Sequence, residues 1–407
     1  MARGPLEDVR ILDLTHVWAG PLATRILGDL GAQILKIEAP MSRGPRVYPT
    51  IPLGSFIGGE PGDEPWNANA VFVKLMRNKK SIALDLKTEV GRSTFLELVA
   101  ISDVVIENFS ARAMASLELD YEHLKQANPE IIHVAMPGYG LSGPYSERVA
   151  FGPTVEPMSG LTSVMGYSAE EPRATAMAVP DPTSAVNATA AVVTALRMRD
   201  LTGKGRLVEM SLHESATSYS GPWLIDTQLG HEPTQIGNRH PELTPHGIYP
   251  CFGNDSWIAI GCRSDSEFQA LCDICELEVD RNWTLSERKA NESVLDEAIA
   301  RWTCDRYYDT IVESLSIGNI PVGGVFDTER MLANPQSVSR GFFVPIERDT
   351  PIPGNPIKMD GISSDDWMPC PKLGEHNEEV LEDWLDYDPD RIQALYDDGI
   401  IVNRPPR

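Results

Sequence analysis

VRILDLTHVWAGPLATRILGDLGAQILKIE, residues 9–38, decides the fold. Two short aliphatic runs, VRILDL (9–14) and AQILKIE (32–38), read as buried strands. Between them AGPLATRILGDLG has Pro21 near a helix start and Gly31 at its end, where those residues are favoured. Further along, SIALDL (81–86), DVVIEN (103–108) and EIIHVAM (130–136) repeat the strand pattern. Helical patterns at 88–101 and 120–129 separate them. Such alternation predicts a parallel sheet covered by helices. The turn after the first strand reads T-H-V-W-A-G-P and lacks the G-x-G-x-x-G that cradles a dinucleotide pyrophosphate, which argues against NAD. Residues 40–72, rich in Gly and Pro, read as a long loop of the kind that carries function.

Composition limits the function classes. The chain has 407 residues, with 42% hydrophobic and 7% aromatic content, as in an enzyme with sizeable cores. No run of 18 apolar residues marks a membrane span, and the first ten residues lack a secretory apolar segment, so the expected location is cytoplasmic. Net charge is −24, which disfavours nucleic acid and anionic membrane as partners. Residues 1–112 are neutral, with 13 basic and 13 acidic side chains, so the N-terminal part is the less hostile half for an anionic ligand. Of six cysteines, only Cys272 and Cys275 form a C-x-x-C pair, within a predicted amphipathic helix. With no second pair, zinc is not expected and the thiols read as packing residues.

The segment MAVPDPTSAVNATAAVVTALRMRDLTGKG (177–205) holds a carboxylate, Asp181, between two prolines. Read locally, Asp181 is an N-cap and Pro182 the first residue of a long helix running to about Arg199. A strand follows near residue 206, and a second, smaller unit is expected further on.

Eight blocks in order resemble the class III CoA-transferases, a family that includes formyl-CoA, carnitine and benzylsuccinate CoA-transferases and 2-methylacyl-CoA racemases. They are ILDLTHVWAGPLATRILGDLGAQILKIEAP, RNKKSIALDLKTEVGR, DVVIENF, NPEIIHVAMPGYGLSGPY, MSGLTSVMGY, DPTSAVNATAAVVTALRMRDLTGKGRLVEMSL, GNIPVGGVFDTERMLANPQSVSRGFF and KLGEHNEEVL. The resemblance implies a large Rossmann-like α/β domain built from both chain ends and a smaller inserted α/β domain. Boundaries on this reading are 1–222, 223–330 and a return at 331–407. It also implies an interlocked dimer, either a homodimer or a heteromer with a related subunit.

The activity implied is CoA transfer from an acyl-CoA donor, succinyl-CoA being the choice here, to a dicarboxylic or aromatic acid. Acyl-CoA and a free carboxylic acid are then the partners, with CoA a substrate and no permanent cofactor. The position matching the family's aspartate nucleophile is Asp181, which would pass through an aspartyl anhydride and an aspartyl-CoA thioester. A carboxylate is already ionised at neutral pH and needs no general base.

The resemblance further implies CoA contacts at His16, Trp18 and Ala19, at Leu84 and Lys87, and at Asn108 and Phe109. Trp18 stands where formyl-CoA transferases have glutamine. Arg112 is the only basic residue in FSARAMASLELD and stands where many relatives have glycine, so phosphate contact is expected from Arg112, or from Arg43, Lys79 or Lys80. Tyr139 and Gly140 in the GYG turn, Phe151 in ERVAFGPTVEPMSG and His246 in TPHG are the expected pocket residues. Racemases of the family carry a histidine where this chain has Phe151, and phenylalanine cannot carry a proton. That favours transfer. Racemisation or epimerisation, and a silent subunit of a heteromeric transferase, are the alternatives.

Overall fold

The computed structural model describes residues 4–41, 56–57, 59–347 and 350–405. Six strands form one sheet: β1 Arg10–Asp13, β2 Gln33–Glu38, β3 Lys79–Ala83, β4 Val104–Glu107, β5 Ile132–Ala135 and β6 Arg206–Glu209. Their order is β3-β2-β1-β4-β5-β6, and every neighbouring pair is parallel. This is the doubly wound Rossmann order, in which the winding reverses between β1 and β4. The strands β1, β2, β4 and β5 are buried almost throughout, the reason they read as unbroken aliphatic runs.

β3 begins and ends earlier than the SIALDL reading. Leu84 donates its N–H to Glu38 and bridges Ile401, and Asp85 donates to Ile400, so the chain leaves the sheet there. Each sheet face has its own core. Helices Ala19–Asp29 and Pro180–Thr202 cover one face, interleaving Ala23 and Leu27 with Ala185, Ala188 and Val192. Small residues on the longer helix allow this close approach. Glu89–Ala100, Tyr121–Ala127 and two C-terminal helices, Asn377–Leu385 and Pro389–Asp397, cover the other.

The chain divides into two compact units. Residues 1–162, 174–230 and 341–407 make the larger, so both chain ends contribute to it. Residues 163–173 and 231–340 make the smaller, where the sequence reading set 223–330. Within the smaller unit β7 His246–Pro250, β8 Trp257–Gly261 and β9 Val322–Val325 form an antiparallel sheet packed with helices. Cys251, Cys262, Cys272 and Cys275 all lie in that core. Burial pushes the Cys272 thiol up to about 11 and Cys275 up to about 12, so both are protonated at neutral pH.

Candidate active site

In a doubly wound sheet, ligands settle where the loops from the two central strands part. Here those loops follow β1 and β4. Asn108, just past β4, ties them together: its Oδ1 accepts the His16 N–H at 2.7 Å and its Nδ2 donates to the His16 carbonyl at 2.8 Å. Phe109 stacks on the His16 ring with centroids 5.4 Å apart. Val17 is held at φ 66°, a left-handed conformation that a β-branched residue rarely adopts.

Beneath the β1 loop lies a buried charge network. Asp13 accepts from the Thr15 and Thr24 hydroxyls and from Lys79 Nζ at 2.9 Å, while Lys36 Nζ donates to the Asp13 and Thr15 carbonyls. Burial alone would raise the Asp13 carboxyl, but the Lys36 and Lys79 ammoniums and the two hydroxyls hold it far below the ordinary range. Burial pushes Lys79 down to about 8, against the pull of Asp13. The backbone of the Thr15–Trp18 loop is therefore anchored from below.

Asp181 reaches the same region from the other direction. Its helix starts at Pro180 with Val179 in the cap position, two residues earlier than the sequence reading. Val179 already has helical dihedrals and the Asp181 N–H bonds back to Ala178, so Asp181 is not the N-cap and Pro182 is not the first helical residue. Its side chain is thus released from capping. It is 8% exposed. Burial pushes its carboxyl up to about 6, and the N–H groups of Ala19 and of Asp181 itself oppose that rise. Ala19 opens the Ala19–Asp29 helix, so two helix N-termini favour charge at this carboxylate.

Gly152, first residue of the Gly152–Met158 helix, forms the facing wall: a Cβ there would lie 1.9 Å from Asp181 Oδ2. The same helix fixes the approach to Asp181. Buried Glu156 accepts the Thr175 N–H at 2.7 Å and its hydroxyl at 2.5 Å, and Ala178 then turns the chain at φ 45°.

A model of CoA-transferase family III matches residues 6–377. The chain belongs to this family. It is an enzyme that transfers CoA. It is 29% identical over 405 residues to the succinyl-CoA–D-citramalate CoA-transferase of Chloroflexus aurantiacus, covering 96% of each chain. To the acetyl-CoA:oxalate CoA-transferase of Acetobacter aceti it is 31% identical over 385 residues, covering 92% of this chain and 94% of that one. The solved structure of a CaiB/BaiF family protein from Brucella suis matches with a TM-score of 0.83 at 30% identity, covering 94% of this chain and 99% of the other.

In this family III CoA-transferase the structure brings His16, Asn108 and Phe109 into one cluster, with Trp18 and Ala19 continuing the His16 loop. The His16 ring reaches solvent, yet the protein packed around it and the Lys36 charge hold it down to about 4, so it is neutral at pH 7. Trp18 lies under the Lys74 ammonium, 4.8 Å from its ring centroid. Leu84 is a core residue, 1% exposed. Lys87 is exposed in the turn after β3.

Arg112 is exposed and pairs with exposed Glu147. Such a pair is worth about 0–1 kcal/mol. The alternatives for phosphate fare differently. Lys79 is wholly buried on Asp13 and unavailable, a correction that follows from its place inside the sheet. Lys80 is committed to Glu379, and Arg43 lies outside the described residues.

Tyr139 donates its hydroxyl to Met158 Sδ at 3.1 Å, and Gly140 turns at φ 90° beside Glu209. Phe151 directly precedes Gly152 and is 54% exposed. His246 belongs to the smaller unit, where its Nδ1 lies 2.8 Å from the Asn238 carbonyl.

Gly152, Glu156, Thr175 and Lys74 were not found from sequence. The only hint was Glu156, an acid in the otherwise neutral stretch FGPTVEPMSG that precedes the glycine turn.

Proposed function

We propose that this CoA-transferase carries CoA from succinyl-CoA to a dicarboxylic acid, with Asp181 as nucleophile. The observation that carries the reading is the Asp181 carboxylate itself. It is largely buried, has no basic side chain pairing with it among the described residues, and is stabilised by main-chain N–H groups at two helix starts. Such a carboxylate is poorly solvated and correspondingly reactive, yet more than half ionised above its pKa of about 6. Dicarboxylates are favoured because both D-citramalate and oxalate, named for the two relatives above, are dicarboxylates.

The chemistry balances without ATP or an external base. An Asp181 oxygen attacks the succinyl-CoA thioester carbon, the C–S bond breaks, and CoA leaves as thiolate with a mixed anhydride on Asp181. The thiolate then attacks the aspartyl carbonyl, the anhydride C–O bond breaks, and succinate departs. The acceptor carboxylate repeats the first two steps in reverse order on the aspartyl-CoA thioester. It forms a new anhydride, from which the thiolate takes the acceptor acyl group and frees Asp181. We place the CoA chain along the His16–Ala19 and Asn108–Phe109 loops, using main chain at Leu84, with Lys87 and Arg112 serving the phosphates. Tyr139, Gly140 and Phe151 are assigned to the acyl side. The carbon ring of Phe151 offers no proton, which supports transfer over racemisation.

Intact-mass measurement after mixing with succinyl-CoA tests this. A covalent adduct on the wild-type protein, discharged by a free dicarboxylic acid, is the expected result. Unmodified protein with bound, intact thioester overturns it and points to a silent subunit.

We also propose that two copies interlock. The Pro180–Thr202 helix exposes Val186, Val193 and Leu201, and the Gly221–Gln228 helix buries none of its own residues while exposing Trp223, Leu224 and Ile225. Apolar surface of this extent is unusual on a monomer. Sedimentation should give twice the 44.8 kDa chain mass, and differently tagged copies should fail to mix without denaturant. A monomer at micromolar concentration refutes it.

A further inference from the structure

Transfer between two dicarboxylic acids leaves one carboxylate on each that takes no part in bond making. Donor acid and acceptor occupy the same place in turn, because each is joined in an anhydride to the Asp181 carboxyl carbon and each exchanges with the same sulfur. One group can therefore read the idle carboxylate of both.

The region beside Trp18 has an excess of positive charge. Arg25 and Arg77 share a single carboxylate, Asp29, which binds Arg77 at 2.6 Å and lies 4.0 Å from Arg25. Asp29 also accepts from Asn78, so its capacity is spent. Arg25 donates to the Lys74 main-chain carbonyl at 3.3 Å, which brings a like charge to the Lys74 helix, Ala70–Met76. Among the described residues no carboxylate pairs with the Lys74 ammonium; its contact is the face of the Trp18 ring. Burial and the nearby Arg25 charge both hold Lys74 below the ordinary lysine range. A partly buried cation without a counter-charge is costly unless an anion joins it. Trp18 in turn leads directly into Ala19, whose N–H favours charge on Asp181. The ring thus supports an ammonium from a residue whose next neighbour in the chain, Ala19, touches the reacting carboxylate.

We propose that Lys74, supported on Trp18, binds the non-reacting carboxylate of both the donor and the acceptor acid and sets the preference for dicarboxylates. The proposal rests on the reading of Asp181 as nucleophile and of dicarboxylates as substrates. It assigns the tryptophan a purpose: the ring holds the long lysine side chain in place through a cation–π contact, which lowers the entropy lost on binding.

The test compares glutarate with butyrate, an acid similar in length but without the second carboxylate, as acceptors from succinyl-CoA. Full-length wild-type protein is set beside Lys74→Met, Lys74→Gln and Lys74→Arg, with melting curves to confirm folding. The wild type should favour glutarate. Lys74→Met and Lys74→Gln should lower kcat/KM for glutarate by roughly 10- to 100-fold, the worth of a charge-assisted hydrogen bond, and leave butyrate unchanged or improved. Lys74→Arg should retain the preference. Equal losses for both acids, or a preference that survives the neutral variants, overturns the role of Lys74 while leaving the substrate reading intact. A wild type that favours butyrate overturns the substrate reading, and the role of Lys74 with it.

Discussion

Replacing Asp181 with asparagine is expected to reduce CoA transfer by roughly 10⁴-fold or more, because an amide cannot form the anhydride. The same change should make the folded protein more stable at pH 8. The native carboxyl has its pKa pushed up to about 6, against about 4 in the unfolded chain, so the native state binds the proton more tightly. Below pH 4 both states are protonated and the carboxyl has no net effect. As pH rises from 4 to 6 the unfolded state gains by ionising first, and stability falls. Above 6 the full cost is present, on the order of 1–2 kcal/mol for a carboxylate that keeps some contact with solvent. Denaturant midpoints for the wild type and Asp181→Asn should therefore coincide near pH 4 and separate by pH 8, the variant being the more stable. The transfer rate of the wild type should fall on acidification through pH 6. An acid limb centred near 4, or a variant less stable at pH 8, would show that Asp181 is bound in a well-solvated or charge-paired setting instead.

Gly152→Ala should also be damaging, although it adds a single methyl group. That methyl would stand 1.9 Å from Asp181 Oδ2, 2.7 Å from Ala178 Cβ and 3.1 Å from Asp181 Cγ. None of these is the free end of a long side chain. The carboxylate, or the turn that delivers it, has to move by about an ångström, and misplacement of that size costs about 10²-fold in rate. Overpacking adds a loss of about 1–3 kcal/mol in stability. CoA affinity should be unaffected, since the His16–Asn108 pair is untouched. Rapid-quench mass measurement of the adduct, beside calorimetric titration with CoA, separates the two effects. Adduct formation at the wild-type rate would mean that Asp181 reacts from a position other than the one seen.

The parts legible in the sequence were those governed by repetition. Aliphatic runs such as Val104–Ile106 have no polar face, and only a strand covered on both sides buries them. Pro and Gly punctuation marked the helix between β1 and β2. Asp181 drew attention as a charge beside an apolar run, but its role depended on resemblance, because local propensity favoured a cap. The helix instead starts two residues earlier, and the reason lies outside it: Glu156, more than twenty residues upstream, holds Thr175 and so sets where the turn closes. Long-range contacts of this kind leave no periodic trace. Lys79 and Lys74 show the same limit. They stand five residues apart in one short segment, yet one is sealed under Asp13 and the other lies over Trp18. Residues 42–55 of the long Gly- and Pro-rich loop lie outside the described residues.

The pairing of Leu84 with Ile401 bears on how the molecule comes into being. β1 to β5 are complete by residue 135, but the part of one sheet face beside β3 stays uncovered until Val380, Leu381, Ile392 and Leu395 have been made. At about 5–20 residues per second, roughly 250 further residues take on the order of 10–50 s to emerge from the ribosome. Through that interval part of an apolar sheet face is open, while the smaller unit, made of residues 163–173 and 231–340, is free to finish first. The larger unit is thus the last to be completed.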